Sequence, residues 1–241
     1  MTQVFINGVF IFLFFVSSVF SFIENNDKLI SLDFSIKTVE NKKVLTTEGT
    51  VYYSFINNQM VTYMKKPFET ITFLNSLGEV KVYDFESNTL FQYSSAFSNT
   101  ETSYFYYFFN GNYHDFELAK NGYVIKENHI EDGVLVSTWM PGLKSTSTAN
   151  KKIIIASEKN LPIYIEFLKD NKTTGGKIYF SEYQKIMGYS IPMKVVEIYY
   201  KSKKDSVVTI KKYFNPKFGK DVSTGYINFK VPANAKKIRK E

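Results

Sequence analysis

The 241-residue chain has no cysteine, two histidines and one tryptophan. Without cysteine there is no disulfide, no thiolate metal site and no thiol nucleophile. His114 and His129 have no partner at metal-ligand spacing, and neither His-Glu-x-x-His nor Gly-x-Ser-x-Gly occurs. Both histidines read as exposed turn or strand-end side chains, and Glu131-Asp132 reads as a turn. Gly175-Gly176 also reads as a turn, because no helix follows whose N-terminus would bind an anion. Asn171-Lys172-Thr173 matches a glycosylation acceptor, a pattern short enough to arise by chance. A hydrolase or transferase needs a nucleophile, a base and a group that orients the base. The sequence contains no such set, so it predicts neither an enzyme nor a cofactor.

Residues 1–23 carry no charged side chain. An apolar core over 9–16 is followed by Ser17-Ser18-Val19-Phe20-Ser21, which predicts a signal peptide over 1–21, cleaved after Ser21. The alternative is an uncleaved anchor in which the apolar stretch continues to Ile23. The expected product is one exported domain over 22–241, and the chain is not itself a lipoprotein. The net charge of +7 lies outside the leader, with lysines concentrated at 201–204 and 236–240. Such a balance favours anionic surfaces, while the absence of any binding motif argues against nucleic acid.

Aromatic residues, by contrast, are plentiful at 17% of the chain. Between Leu45 and Tyr93 a run of strand-length segments (50–56, 60–64, 69–74 and 79–85) alternates apolar and polar side chains. Asn57-Asn58, Lys66-Pro67 and Asn75-Ser76-Leu77-Gly78 supply the turns between them. Strand patterns also cover 31–39, 123–130, 134–140, 152–157, 161–169, 176–183, 193–200 and 206–214, with a last short strand at 226–231. Glu131-Asp132-Gly133 is a strong hairpin signal. The expectation is one mainly β domain.

One segment differs. Ser98, Asn99 and Thr100 are candidate helix caps, and Asn110-Gly111 is a helix end. The residues between are almost wholly aromatic from Tyr104 to Phe109. A helix with that surface is buried on nearly all sides or covers an apolar opening. Tyr53, Phe55, Tyr63, Ile71 and Phe73 in the first half, and Ile165 and Phe167 in the second, are read as inward-facing. They are either core or the wall of a cleft for acyl chains, because aromatics give large apolar area without hydrogen-bond demands along their bodies.

The order of these elements resembles the LolA-like family of periplasmic lipoprotein carriers. Glu48-Gly49-Thr50-Val51-Tyr52-Tyr53, Tyr63-Met64-Lys65-Lys66-Pro67 and Val82-Tyr83-Asp84 carry the first part. Thr138-Trp139-Met140-Pro141, Leu161-Pro162-Ile163, Ile191-Pro192-Met193-Lys194 and Phe229-Lys230-Val231-Pro232 carry the second. The family's N-terminal helix and its arginine in the strand leading to the proline are both missing here. The resemblance implies a single strongly curved antiparallel sheet, a half-barrel, with a short aromatic helical lid formed by Tyr104, Phe105, Phe108 and Phe109. It implies a monomeric periplasmic carrier that shields the acyl chains of lipoproteins. Its partners would be an inner-membrane ABC-type lipoprotein exporter and an outer-membrane acceptor. The alternative within the same family is a lipid- or protein-sensing regulatory module.

Overall fold

The structure is a computed structural model that describes residues 28–94, 103–143, 150–170, 172–202 and 205–239. The expected signal peptide, the caps Ser98, Asn99 and Thr100, and Asn171 lie outside these residues. In chain order the strands are β1 (Leu29–Glu40), β2 (Lys43–Ser54), β3 (Gln59–Lys66), β4 (Thr70–Leu74), β5 (Glu79–Asp84) and β6 (Thr89–Ser94). A seven-residue helix α1 (Ser103–Phe109) follows. The second series is β7 (Tyr123–Glu131), β8 (Val134–Pro141), β9 (Lys152–Glu158), β10 (Leu161–Leu168), β11 (Thr174–Ile186), β12 (Tyr189–Ser202) and β13 (Asp205–Phe218). A 3-10 turn (Gly219–Asp221) and β14 (Lys236–Arg239) end the chain.

Turn chemistry explains why these runs pair as hairpins. Four loops are two residues long, and both residues of each are left-handed: Asn41-Lys42, Asp132-Gly133, Lys159-Asn160 and Met187-Gly188. That conformation matches the right-handed twist of the flanking strands and sets their register. Gly49 meets a different demand. It sits where the β2–β3 register shifts, and a Cβ there would lie 2.1 Å from the Tyr63 carbonyl oxygen and 2.7 Å from Phe34 Cζ. Only glycine allows this approach.

All strands join one 14-stranded sheet in the order β14-β6-β5-β4-β3-β2-β1-β13-β12-β11-β10-β9-β8-β7. The expected half-barrel is corrected here. The sheet is neither closed nor strongly curved; among the described residues it is mixed and open, because β14 runs parallel to β6 at one end while β7 ends the other. The reason lies in the last residues. The segment 226–231 is not a strand; it turns, with Asn228 N donating to Thr224 O and Phe229 N donating to Tyr226 O. It crosses the sheet as a strap and carries β14 to the far edge, where Lys236 N donates to Asn88 O at 3.0 Å. A chain that leaves β13 beside β1 and crosses β2 to β5 adds a parallel strand, not another hairpin arm.

Each sheet face has its own apolar layer. One includes Ile30, Leu32, Phe34, Val51, Tyr53, Ile165, Phe180, Ile191 and Tyr213, covered by α1 and residues 113–118. The other is confined to the first half: Leu29, Tyr52, Val61, Ile71, Tyr83 and Leu90 lie under strap residues Val222, Tyr226, Phe229 and Ala235.

Candidate ligand-binding site

α1 has no charged residue, and it ends as its sequence predicts. Gly111, at φ 71°, takes the left-handed position. Gly111 N donates to Phe108 O and Asn112 N donates to Tyr107 O, which satisfies the last carbonyls. Asn110 Nδ2 also donates to Tyr106 O at 2.8 Å, and Asn110 Oδ1 accepts from Tyr53 Oη at 3.1 Å. This hydroxyl bond ties the end of the helix to the middle of the sheet. A helix this short is not stable alone, so tertiary packing holds it in place.

The packing is aromatic. Phe109 stacks on Tyr53 at 4.8 Å between ring centroids and meets Phe55 edge-on at 5.6 Å. Phe105 meets Tyr213 edge-on at 4.2 Å, Tyr104 meets Phe180 at 5.4 Å, and Phe108 stacks on Tyr113 at 5.1 Å. Phe105 and Phe108 are almost wholly buried, at 2% and 1% exposure. Burial has an electrostatic consequence. Loss of hydration pushes the Tyr53, Tyr104 and Tyr183 hydroxyls well above their usual range, and pushes Tyr107 up to about 12. These groups are neutral in a water-poor layer.

One charged pair breaks the apolar character of this face. Lys211 on β13 and Glu197 on β12 lie 2.7 Å apart with side chains 5% and 10% exposed. Lys211 Nζ is 5.4 Å from the Tyr104 ring centroid, at the start of the helix. Thr38 and Thr209 hydroxyls meet nearby at 3.3 Å, on strands paired to the same stretch. The sequence reading did not find this pair. Its only signal was a lysine and a glutamate at positions that the alternation of β12 and β13 turns inward.

The seven expected wall residues do not share one face. Tyr53, Phe55, Ile165 and Phe167 belong to the helix-covered layer. Tyr63, Ile71 and Phe73 belong to the strap-covered layer. The register explains the split: Tyr63 lies opposite Thr50 and Ile71 opposite Tyr63, so both share the face of Tyr52, not that of Tyr53. Tyr63 stacks on Tyr226 of the strap at 3.8 Å and donates to Glu69 Oε1 at 2.6 Å. Phe73 lines a cavity of about 560 Å³ between sheet and strap, with Ile227, Phe229, Lys81 and Lys230. The four lid residues Tyr104, Phe105, Phe108 and Phe109 all pack into the helix-side layer.

Among the described residues no three His, Cys, Asp or Glu side chains are placed to hold a metal ion. His114 packs beside Tyr113, and His129 Nδ1 lies 3.7 Å from Glu127 Oε1 on its own strand. No described helix is long and apolar enough to cross a membrane.

No sequence-family profile matches the chain, and no curated protein matches it. Solved structures do. A domain from Vibrio parahaemolyticus, described as an outer membrane lipoprotein-sorting protein, aligns with TM-score 0.59 at 13% identity over 83% of this chain and 89% of that one. A DUF1329 family protein from Desulfovibrio piger aligns with TM-score 0.57 at 13% identity, over 84% and 90%. A LolA superfamily protein from Nitrosomonas europaea aligns with TM-score 0.53 at 13% identity, over 80% and 86%. The chain is thus similar in fold to LolA superfamily and DUF1329 proteins across most of its length.

Proposed function

We propose that this protein is a non-enzymatic carrier of acyl chains in the cell envelope, and that its binding layer is the helix-covered face of the sheet. Tyr53, Phe55, Ile165 and Phe167 form the wall, and Tyr104, Phe105, Phe108 and Phe109 form the lid. The observation that carries this reading is the lid itself: an uncharged, almost wholly aromatic helix of seven residues that fills an apolar layer. Magnitudes allow exchange. Burying each lid aromatic is worth about 1.5–3 kcal/mol, whereas an acyl chain gains about 0.8 kcal/mol per methylene. A chain of roughly fifteen methylenes therefore matches or exceeds the four rings it replaces.

The cargo in this reading is the acyl part of lipoproteins, received from an inner-membrane ABC-type exporter and passed to an outer-membrane acceptor. The fold it shares with a lipoprotein-sorting domain supports that choice, as does the apolar leader, which suits a periplasmic protein. Release needs a lid that competes with the ligand without excluding it, so the carrier's affinity is set by the difference between two closed states. Native mass spectrometry of protein purified from its own envelope, with lipid extraction, tests this. Co-purifying acylated species are the expected result. A clean unliganded mass, together with no uptake of a fluorescent fatty acid, overturns it.

A further inference from the structure

The two edges of the sheet are unlike. β14 is four residues long and carries Lys236, Lys237 and Arg239. Short, charged edge strands of this kind keep copies of a chain from pairing. β7 is nine residues long, and every residue after Tyr123 is exposed. Among the described residues it pairs with β8 alone, so its other side presents unpaired main-chain groups. Ile130 is 75% exposed, Ile125 47% and Leu135 on β8 42%. The edge has no proline, and although Lys126 and the bulge there blunt it in part, its apolar residues Ile125 and Ile130 stay exposed.

The side chains on this edge are self-complementary. A bulge at Lys126 lets Ile125 face Trp139 while Glu127 faces Thr138. Ile125, Asn128 and Ile130 therefore lie on one face, with Leu135 directly opposite Ile130. Glu127, His129 and Glu131 lie on the other. A two-fold axis perpendicular to the sheet keeps each side chain on its own face, so it lies midway between one residue and its own copy in the partner strand. Centred on Glu127, it sets that carboxylate against its own copy. Centred on His129, it sets Glu127 against Glu131. Like charges directly opposite each other are unfavourable. Centred on Asn128, it sets Glu127 against His129 twice, and it brings Ile130 of each copy to the Ile125–Lys126 step of the other.

We infer that two copies of this chain join along β7, antiparallel and two-fold about Asn128, into one continuous sheet. The interface is isologous. Main-chain hydrogen bonds hold it, two Glu127–His129 pairs set its register on one face, and a seam of Ile125, Ile130 and Leu135 closes the other. This replaces the expectation of a monomer, and it does not depend on the carrier reading.

Light scattering of the full protein over a dilution series is expected to give twice the chain mass, falling to the single mass on dilution. Hydrogen exchange of the β7 amides is expected to slow in the dimer. H129E sets two carboxylates against two others on exposed positions, and should reduce the mass to that of one chain without loss of fold by circular dichroism. E127K/H129E places opposite charges across the seam and should restore the doubled mass. A single-chain mass at every concentration overturns the proposal. So does a dimer that H129E leaves intact, one whose β7 amides exchange as in the monomer, or β7 protection that appears only with a different co-purifying polypeptide.

Discussion

The two faces of the sheet are covered by unlike means. On one, a strap is fastened at both ends: it leaves β13 through a 3-10 turn and finishes as β14, hydrogen-bonded along β6. On the other, α1 is held by ring contacts, the Tyr53–Asn110 hydroxyl bond and the Lys211 ammonium beside Tyr104, with no strand pairing among the described residues. Main-chain pairing is cooperative and directional, whereas ring contacts are replaceable by any apolar surface of similar area. The difference teaches which cover can yield. The strap belongs to the sheet, and in the carrier reading proposed above the helix is the cover that an acyl chain displaces.

The largest effect expected from breaking this contrast concerns the buried charges, which only the helix side possesses among the described residues. Lys211→Met leaves Glu197 buried without its cation and should cost about 3–5 kcal/mol in urea unfolding. Adding Glu197→Leu removes the orphan charge and should recover most of that loss. A single variant as stable as the parent would show that water reaches the pair.

Truncations on the two faces come next. Ile71→Ala, under the strap, should cost about 2–5 kcal/mol, and Phe108→Ala, in the lid, about 3–5 kcal/mol. Binding should separate them. Phe108→Ala weakens the competitor for the apolar layer and should raise fatty-acid uptake, while Ile71→Ala should leave uptake unchanged. Equal uptake by both variants would erase the functional distinction between the covers.

A smaller, pH-dependent effect follows from the buried phenols. Burial raises the Tyr107 hydroxyl from its ordinary 10.0 to about 12, so the folded state holds a proton that the unfolded chain gives up first. Its contribution is fully present below pH 10 and is lost as pH climbs from there to about 12. Tyr53 and Tyr104 under the helix, and Tyr52 and Tyr63 under the strap, shift in the same direction through loss of hydration. Tyrosinate absorbance should therefore lag behind that of a denatured control on both faces. If α1 is the cover that yields, Tyr107 should ionise before the chain unfolds. The smallest effect belongs to the surface. Lys66→Ala removes an exposed pair with Glu48 and should change stability by about 0–1 kcal/mol, a control for the rest.

Much of this architecture is legible in the sequence alone. Alternation marks nearly every strand, Asp132-Gly133 marks its hairpin, and Asn110-Gly111 marks the end of α1, because each signal is local. The wall residues show where local reading stops. Tyr53 and Tyr63 look alike in sequence, yet the β2–β3 register, which pairs Thr50 with Tyr63 and Tyr53 with Met60, sends them to opposite faces. A one-residue change in register reverses every side chain on a strand. Residues 226–231 of the strap fit a strand pattern, with Ile227, Phe229 and Val231 alternating with Asn228 and Lys230, and nothing local reveals that the chain there turns across other strands. The candidate site was legible as a composition, an aromatic segment opposite aromatic strands. The residues that form one layer were not.

The sequence by itself determined that this protein is mainly β, which residues turn, where α1 ends, and that no thiol chemistry is available to it. Those properties follow from φ preferences, side-chain alternation and the presence or absence of functional groups, all readable within a few residues. Only the tertiary structure decided that the sheet is mixed and open, that two covers share it, that Glu197 meets Lys211, and that β7 is left as an edge. Each of these depends on which distant strands become neighbours and in what register, and that choice is made by burial summed over the whole chain.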